Sequence, residues 1–134
     1  MWLDRHKSEA WMLETAQELF QKGWNKGWDS IHGGLYFALS PEEKVIDNDK
    51  NYWVMAEAIA AAALLAAKTG EQQYWDCYDK LFNYSSEYLI DHEYGGWYKL
   101  LDEKNERYSD IKSSAPKADY HPVATCYQAI RALS

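Results

Sequence analysis

The chain has 134 residues, enough for one domain with a real core. Its net charge of −7 argues against nucleic acid as a partner, because phosphate contacts need a basic surface. Seven Trp and eleven Tyr exceed ordinary usage; an apolar face with a polar edge suits sugar rings, and equally suits thick contacts between helices.

Taken in order, Ser8 to Lys22 predicts a helix, with Trp11, Leu13, Ala16, Leu19 and Phe20 forming the apolar stripe. Gly23 to Gly34 holds four glycines and reads as a turn-rich connection. Leu35 to Leu39 is a short extended run, and Ser40-Pro41-Glu42-Glu43 turns the chain. Val45 to Asp49 leads into the most distinctive stretch, Lys50 to Lys68. This stretch is alanine-rich, contains no helix breaker, and predicts a helix of about four turns. It lacks a polar face, so it should be covered on every side. Glu57, the one charge between Tyr52 and Ala67, is then an anomaly that needs a cation, donors or a wet cavity. Trp53 lies one turn earlier on the same face.

Gly70 ends that helix, and Glu71 to Ile90 predicts the next. Asp91 to Gly96 is a turn, Trp97 to Leu101 is extended, and Asp102 to Asn105 is a hairpin-like turn. An irregular polar loop from Arg107 to Asp119 precedes a final helix over Tyr120 to Leu133, with Pro122 in its first turn. Cys77 and Cys126 lack metal-type spacing and read as reduced packing residues of a cytoplasmic protein. No signal peptide is recognised, and Ile59 to Ala67 is too short to span a membrane. Neither a phosphate-binding Gly-rich loop nor a metal-ligand cluster appears, so no cofactor and no metal are expected.

The chain repeats itself. Gly33-Gly34-Leu35-Tyr36 returns as Gly95-Gly96-Trp97-Tyr98, an offset of 62 residues. Glu57 comes 24 residues after Gly33 and His121 comes 26 after Gly95, so the two occupy related places near the start of a second helix. Two unrelated Gly-Gly turns would be the alternative. A period this long, built of helical hairpins, points to an all-α solenoid or α/α toroid. The two hairpins cover about 9–68 and 71–133, with short β-hairpin-like segments in the loops. A toroid would gather Glu57 and His121 at one end of a central cavity.

Tyr52-Trp53-Val54-Met55-Ala56-Glu57-Ala58 resembles the W-W-x-x-x-E-A signature of the N-acylglucosamine 2-epimerase superfamily, which includes cellobiose 2-epimerases and mannose-type aldose–ketose isomerases. Three further segments match in order: Gly27-Trp28-Asp29 running to Gly33-Gly34-Leu35-Tyr36, Asp91 to Tyr98, and Lys117-Ala118-Asp119-Tyr120-His121, similar to that family's K-x-x-Y-H. The resemblance implies residues 1–134 as a single partial domain, the C-terminal third of an (α/α)6 barrel. It further implies His121 as one of two catalytic histidines that shuttle a proton beside a sugar carbonyl through an enediol. By the same resemblance Glu57 binds a hydroxyl or holds a histidine, Trp53 stacks on the ring, and Trp97 and Tyr98 form walls. Residue by residue, core packing for Trp53, an ordinary salt bridge for Glu57 and a helix-start role for His121 stay open.

The family's upstream histidine, in an H-x-x-E pair, and its substrate-binding arginine have no counterpart. His6-Lys7-Ser8-Glu9 spells H-x-x-E but abuts the first helix, and reads as a chance match; His32 and His92 read as surface residues in turns. A third of a barrel should expose apolar surface along Lys50 to Lys68. The chain is then a fragment of a longer enzyme, a degenerate remnant, or a unit that completes a ring by self-association. The first two are favoured, with a homo-oligomer in either case. A monosaccharide or disaccharide is the expected partner. Two other classes remain: a non-catalytic sugar-binding or oligomerising helical module, and an (α/α)6 glycoside hydrolase using Glu57 with Asp119.

Overall fold

The computed structural model describes residues 9–112 and 119–133. Four α-helices carry the fold: α1 (Ala10–Gly27), α2 (Tyr52–Thr69), α3 (Gln72–Tyr84) and α4 (Tyr120–Leu133). Short strands fill the connections: β1 (Ala38–Leu39), β2 (Val45–Asp47), β3 (Lys50–Asn51) and β4 (Leu100–Leu101). β1 pairs with β2 and β3 with β4, both antiparallel. Of the sequence match His6 to Glu9, the first three residues lie outside the described residues, as do Lys117 and Ala118 of the closing motif.

Helix α1 runs five residues past the expected end at Lys22, straight through Gly23. The reason is aromatic. Phe20 and Trp24 stack at 6.2 Å, and Trp24 and Trp28 at 4.7 Å, a ladder at i, i+4 spacing that outweighs the about 1 kcal/mol a mid-helix glycine costs. Helix α2 begins at Tyr52 rather than Lys50, with the Asn51 side chain accepting from the Trp53 backbone N–H at 3.4 Å. It stops at Gly70, whose φ of 73° is the left-handed conformation a C-cap requires. Helix α3 passes into one wide π-type turn, Ser85–Leu89, so the stretch expected as helix to Ile90 is helical to Leu89.

Helix α2 sits at the centre. Met55, Ala62 and Ala63 are fully buried, and α1, α3 and α4 all pack on it. Cover is not complete: Glu57 is half-exposed, so its carboxylate is less anomalous than the sequence suggested. The whole helix, Tyr52–Thr69, is long and apolar enough to cross a membrane by length and composition alone, a test that the buried core helix of a soluble protein also passes, and half of it is buried inside the fold. Exposed large apolar side chains lie on α4, at Tyr120, Val123 and Tyr127, on α1, at Trp11 and Leu19, and in the connections, at Ile31 and Ile46, rather than along α2 as expected. Cys77 is buried as foreseen, but Cys126 is exposed.

The two Gly-Gly turns are built alike, atom for atom. Asp29 Oδ1 accepts from the N–H groups of Ile31 (2.8 Å) and His32 (3.1 Å), and Asp91 Oδ1 from those of Glu93 (2.9 Å) and Tyr94 (3.1 Å). Gly33 and Gly34 have φ of 78° and 82°, Gly95 and Gly96 of 75° and 83°, values that suit glycine. The second carboxylate oxygen of each aspartate meets a lysine: Lys50 Nζ on Asp29 at 2.9 Å, Lys112 Nζ on Asp91 at 2.5 Å. Each ammonium also lies near a tyrosine ring, 5.0 Å from Tyr36 and 5.6 Å from Tyr98. Aspartate, lysine and tyrosine thus all recur at the 62-residue offset.

The first pair is the deeper one. Lys50 is completely buried and Asp29 nearly so, and Lys50 Nζ also donates to the Glu103 carbonyl at 3.2 Å. Burial would raise the Asp29 carboxyl, but hydrogen bonds from Lys50 and from the His32 and Ile31 amides bring it down to about 2. Asp91 is likewise held well below the usual range, chiefly by the Lys112 hydrogen bond. An aspartate whose folded pKa lies below its unfolded value of about 3.9 lends stability above that value and loses it as pH falls. Acid titration followed by circular dichroism should therefore show stability declining between about pH 4 and pH 2. Asp29→Asn strands a buried ammonium and should cost about 3–5 kcal/mol in urea unfolding. Asp91→Asn should cost clearly less, because Lys112 reaches solvent; equal costs would mean that burial does not set the difference.

Candidate functional site

Glu57 stands in the second turn of α2 and His121 in the first turn of α4, and the fold brings them together. His121, 7% exposed on α4, places Nδ1 2.6 Å from Glu57 Oε1 on α2. An ionised carboxylate only accepts, so Nδ1 carries the proton, and in the neutral ring Nε2 holds the lone pair. The Trp53 indole lies beside the imidazole, ring centroids 5.4 Å apart and planes 34° from parallel. The Tyr120 ring also contacts the imidazole, centroids 4.0 Å apart, and Phe37, beside β1, meets Trp53 edge-on at 6.1 Å. Phe37, Trp53, His121 and Tyr120 are thus linked by successive ring contacts, with the Glu57 carboxylate on the imidazole Nδ1.

Local sequence explains the placement. Trp53 and Glu57 are one turn apart, and Lys50, locked to Asp29, fixes the start of α2 three residues before Trp53. On α4, the Thr125 hydroxyl donates to the His121 carbonyl at 2.7 Å, closing the first turn behind Pro122.

Trp97 and Tyr98 stand elsewhere. Trp97 lines an apolar cavity of about 280 Å³ between α2, α3 and α4, with Ala56, Ile59, Tyr78, Phe82 and Thr125. Ala56 adjoins Glu57 and Thr125 is one turn from His121, so the cavity lies directly behind the pair. Tyr98 is instead bound into the second clamp, with the Arg107 guanidinium 4.1 Å from its ring and Lys112 nearby. His32 and His92 are exposed; the His32 ring lies 3.5 Å from Asp29, and the His92 ring contacts the Ser86 carbonyl at 2.7 Å. Among the described residues, no group of three or more His, Cys, Asp or Glu is arranged to hold a metal ion.

Sequence reasoning passed over Phe37 and the two Asp–Lys clamps. Phe37 follows the Gly-Gly-Leu-Tyr turn directly, and a strand there turns alternate side chains toward the helix. The clamps could have been found by extending the 62-residue comparison beyond the glycines.

Comparison with known proteins fits this geometry. The sequence profile of the N-acylglucosamine 2-epimerase (GlcNAc 2-epimerase) family matches residues 1–125. D-mannose isomerase of Marinomonas mediterranea is 41% identical over 132 residues, which are 98% of this chain and 34% of that protein. N-acylglucosamine 2-epimerase of Mus musculus is 28% identical over 117 residues, 81% of this chain and 28% of that one. A crystal structure of D-mannose isomerase superposes with a TM-score of 0.92 at 41% identity, over 96% of this chain and 33% of that one. Cellobiose 2-epimerase from Bacillus thermoamylovorans, at 15% identity and a TM-score of 0.83 over 97% of this chain and 36% of that one, shares the fold. The chain spans about a third of the length of the curated relatives it matches. Its helical hairpins are part of an (α/α)6 barrel. By profile, sequence and structure together, the chain belongs to the N-acylglucosamine 2-epimerase family.

Proposed function

We propose that this chain supplies one wall of a sugar isomerase or 2-epimerase site, with His121 as the group that moves the proton. The observation that carries the reading is the 2.6 Å contact between Glu57 and His121 Nδ1 beside the Trp53 ring. Glu57 fixes the tautomer and stabilises the imidazolium when Nε2 takes up a proton, so the same nitrogen can return it. On an aldose, abstraction from C2 with protonation of the carbonyl oxygen gives an enediol. Return of the proton to C1 yields the ketose, and return to the opposite face of C2 yields the epimer. Trp53 offers the apolar face of the sugar a flat partner, and Phe37 and Tyr120 extend that wall.

Among relatives, those named D-mannose isomerase are the more similar, at 41%, 37% and 32% identity, against 28% for the mouse epimerase. This favours an aldose of the mannose type and transfer between C2 and C1. A glycoside hydrolase needs Glu57 as a free acid or base, whereas here its oxygen is committed to the imidazole. The catalytic account also needs a second wall, which the chain's share of its relatives leaves to other residues.

The test is incubation with mannose, glucose, fructose or N-acetylmannosamine in D₂O, reading deuterium at C2 by NMR. Exchange supports the isomerase reading, whereas saturable binding without exchange favours a sugar-binding module. His121→Ala should lower exchange by about 10²–10⁴-fold while leaving binding nearly intact; exchange that survives rules out His121. Glu57→Gln should lower the rate constant by at least about tenfold with little change in half-saturation, since it disturbs the imidazole rather than the sugar.

A further inference from the structure

The 62-residue repeat runs on beyond the two clamps. The Ser40 N–H donates to the Lys44 carbonyl at 2.8 Å, as the Asp102 N–H does to that of Glu106 at 2.9 Å. The left-handed residues of these turns, Glu43 (φ 60°) and Asn105 (φ 69°), also correspond. Leu39 pairs with Val45 just as Leu101 pairs with Arg107. The register therefore sets Arg107 of the second half against Val45 of the first, and there the halves part. The Arg107 guanidinium lies 4.1 Å from the Tyr98 ring and pairs with Asp110 at 3.3 Å. Tyr36 is the counterpart of Tyr98, but valine brings no cation to it. A cleft of about 580 Å³ opens there instead, lined by Tyr36, Val45, Asn48 and Glu103 together with the exposed Ile31 and Ile46.

We propose that this cleft binds an alkylguanidinium group, the same group that the second half supplies to itself through Arg107. A planar guanidinium stacks on an aromatic ring and forks onto a carboxylate, and a compact ammonium matches that pair less well. Tyr36 supplies the ring. Asn48 stands where the second half has Asp110, so the carboxylate comes from Glu103 instead; the Asn48 side-chain amide donates to Glu103 Oε2 and holds it at the cleft. Asp29 also borders the cleft, but Lys50 already matches its charge, which leaves the Glu103 carboxylate to an incoming cation. Ile31 and Ile46 add apolar surface that suits a methylene stem rather than a bare ion. The Lys50 ammonium, 5.0 Å from the Tyr36 ring, is no obstacle, because Lys112 stands 5.6 Å from Tyr98 with Arg107 in place. Trp53, Glu57 and His121 lie outside the cleft, so the proposal stands apart from the sugar chemistry.

The experiment is titration of the nitrogen-15-labelled chain with N-acetylargininamide, N-acetyllysinamide or free arginine, read by two-dimensional NMR, with circular dichroism to verify the fold of each variant. The arginine amide should give saturable shifts at Ile31, Tyr36, Ile46 and Glu103 at millimolar concentration, and the lysine amide should bind more weakly. Tighter binding of the blocked amide than of free arginine assigns the group to a protein side chain; the reverse order assigns it to a free small molecule. Glu103→Gln should weaken binding about two- to fivefold. Val45→Arg should abolish it by filling the cleft as Arg107 fills its counterpart. Arg107→Val should open that counterpart and add a second set of saturable shifts around Tyr98 and Asp110. A wild-type chain without shifts, an equal response to the lysine amide, or binding that survives Val45→Arg overturns the site. An Arg107→Val chain that gains no second set overturns the equivalence from which the site is inferred.

Discussion

The buried ion pair between Lys50 and Asp29 holds the most consequential joint in the molecule. An ammonium with no solvent contact is tolerable only where its partners are fixed, and here they are a carboxylate, a backbone carbonyl and a tyrosine ring. The carboxylate in turn organises the Gly33-Gly34 turn. Lys50 directly precedes the Asn51 cap of α2, so the same contact sets where α2 begins and which way Trp53 and Glu57 point. In the second half, Asp91 and Lys112 repeat the device before α4 and His121. The first clamp thus aims Glu57, which meets His121 at 2.6 Å.

Much of this was legible in the chain. The end of α2 follows from Gly70 and the start of α4 from Pro122, residues that act locally and leave little to tertiary context. The Gly-Gly repeat announced two like turns, and the expected gathering of Glu57 and His121 is a consequence of that periodicity. What escaped depends on distant partners. Lys50 looks like the first residue of a helix until Asp29, 21 residues earlier, and the Glu103 carbonyl, 53 residues later, are in place. Gly23 reads as a breaker until the Phe20–Trp24–Trp28 stack is counted as a unit. Tyr98 belongs by sequence to the same Gly-Gly-aromatic element as Trp97, yet alternation along an extended run sends one to the cavity and the other to the clamp.

The site itself is a division of labour between two hairpins. The first contributes the flat surface, from Phe37 and Trp53, together with the carboxylate; the second contributes the imidazole and Tyr120. Neither half alone has both a base and the group that sets its tautomer. Under the proposed proton transfer, the α2–α4 packing would matter to catalysis as well as to stability, since a shift of about 1 Å between the helices would break the hydrogen bond that prepares the imidazole.

The central claim is that Glu57 keeps the proton on Nδ1 of His121 and leaves Nε2 to act. Nitrogen-15 chemical shifts of the imidazole, assigned through long-range proton correlations, read this directly above the pH at which the ring becomes neutral. The account expects the Nδ1–H tautomer in the wild-type chain and loss of that preference in Glu57→Gln. An Nε2–H tautomer in the wild type, or a tautomer balance indifferent to Glu57, would contradict it.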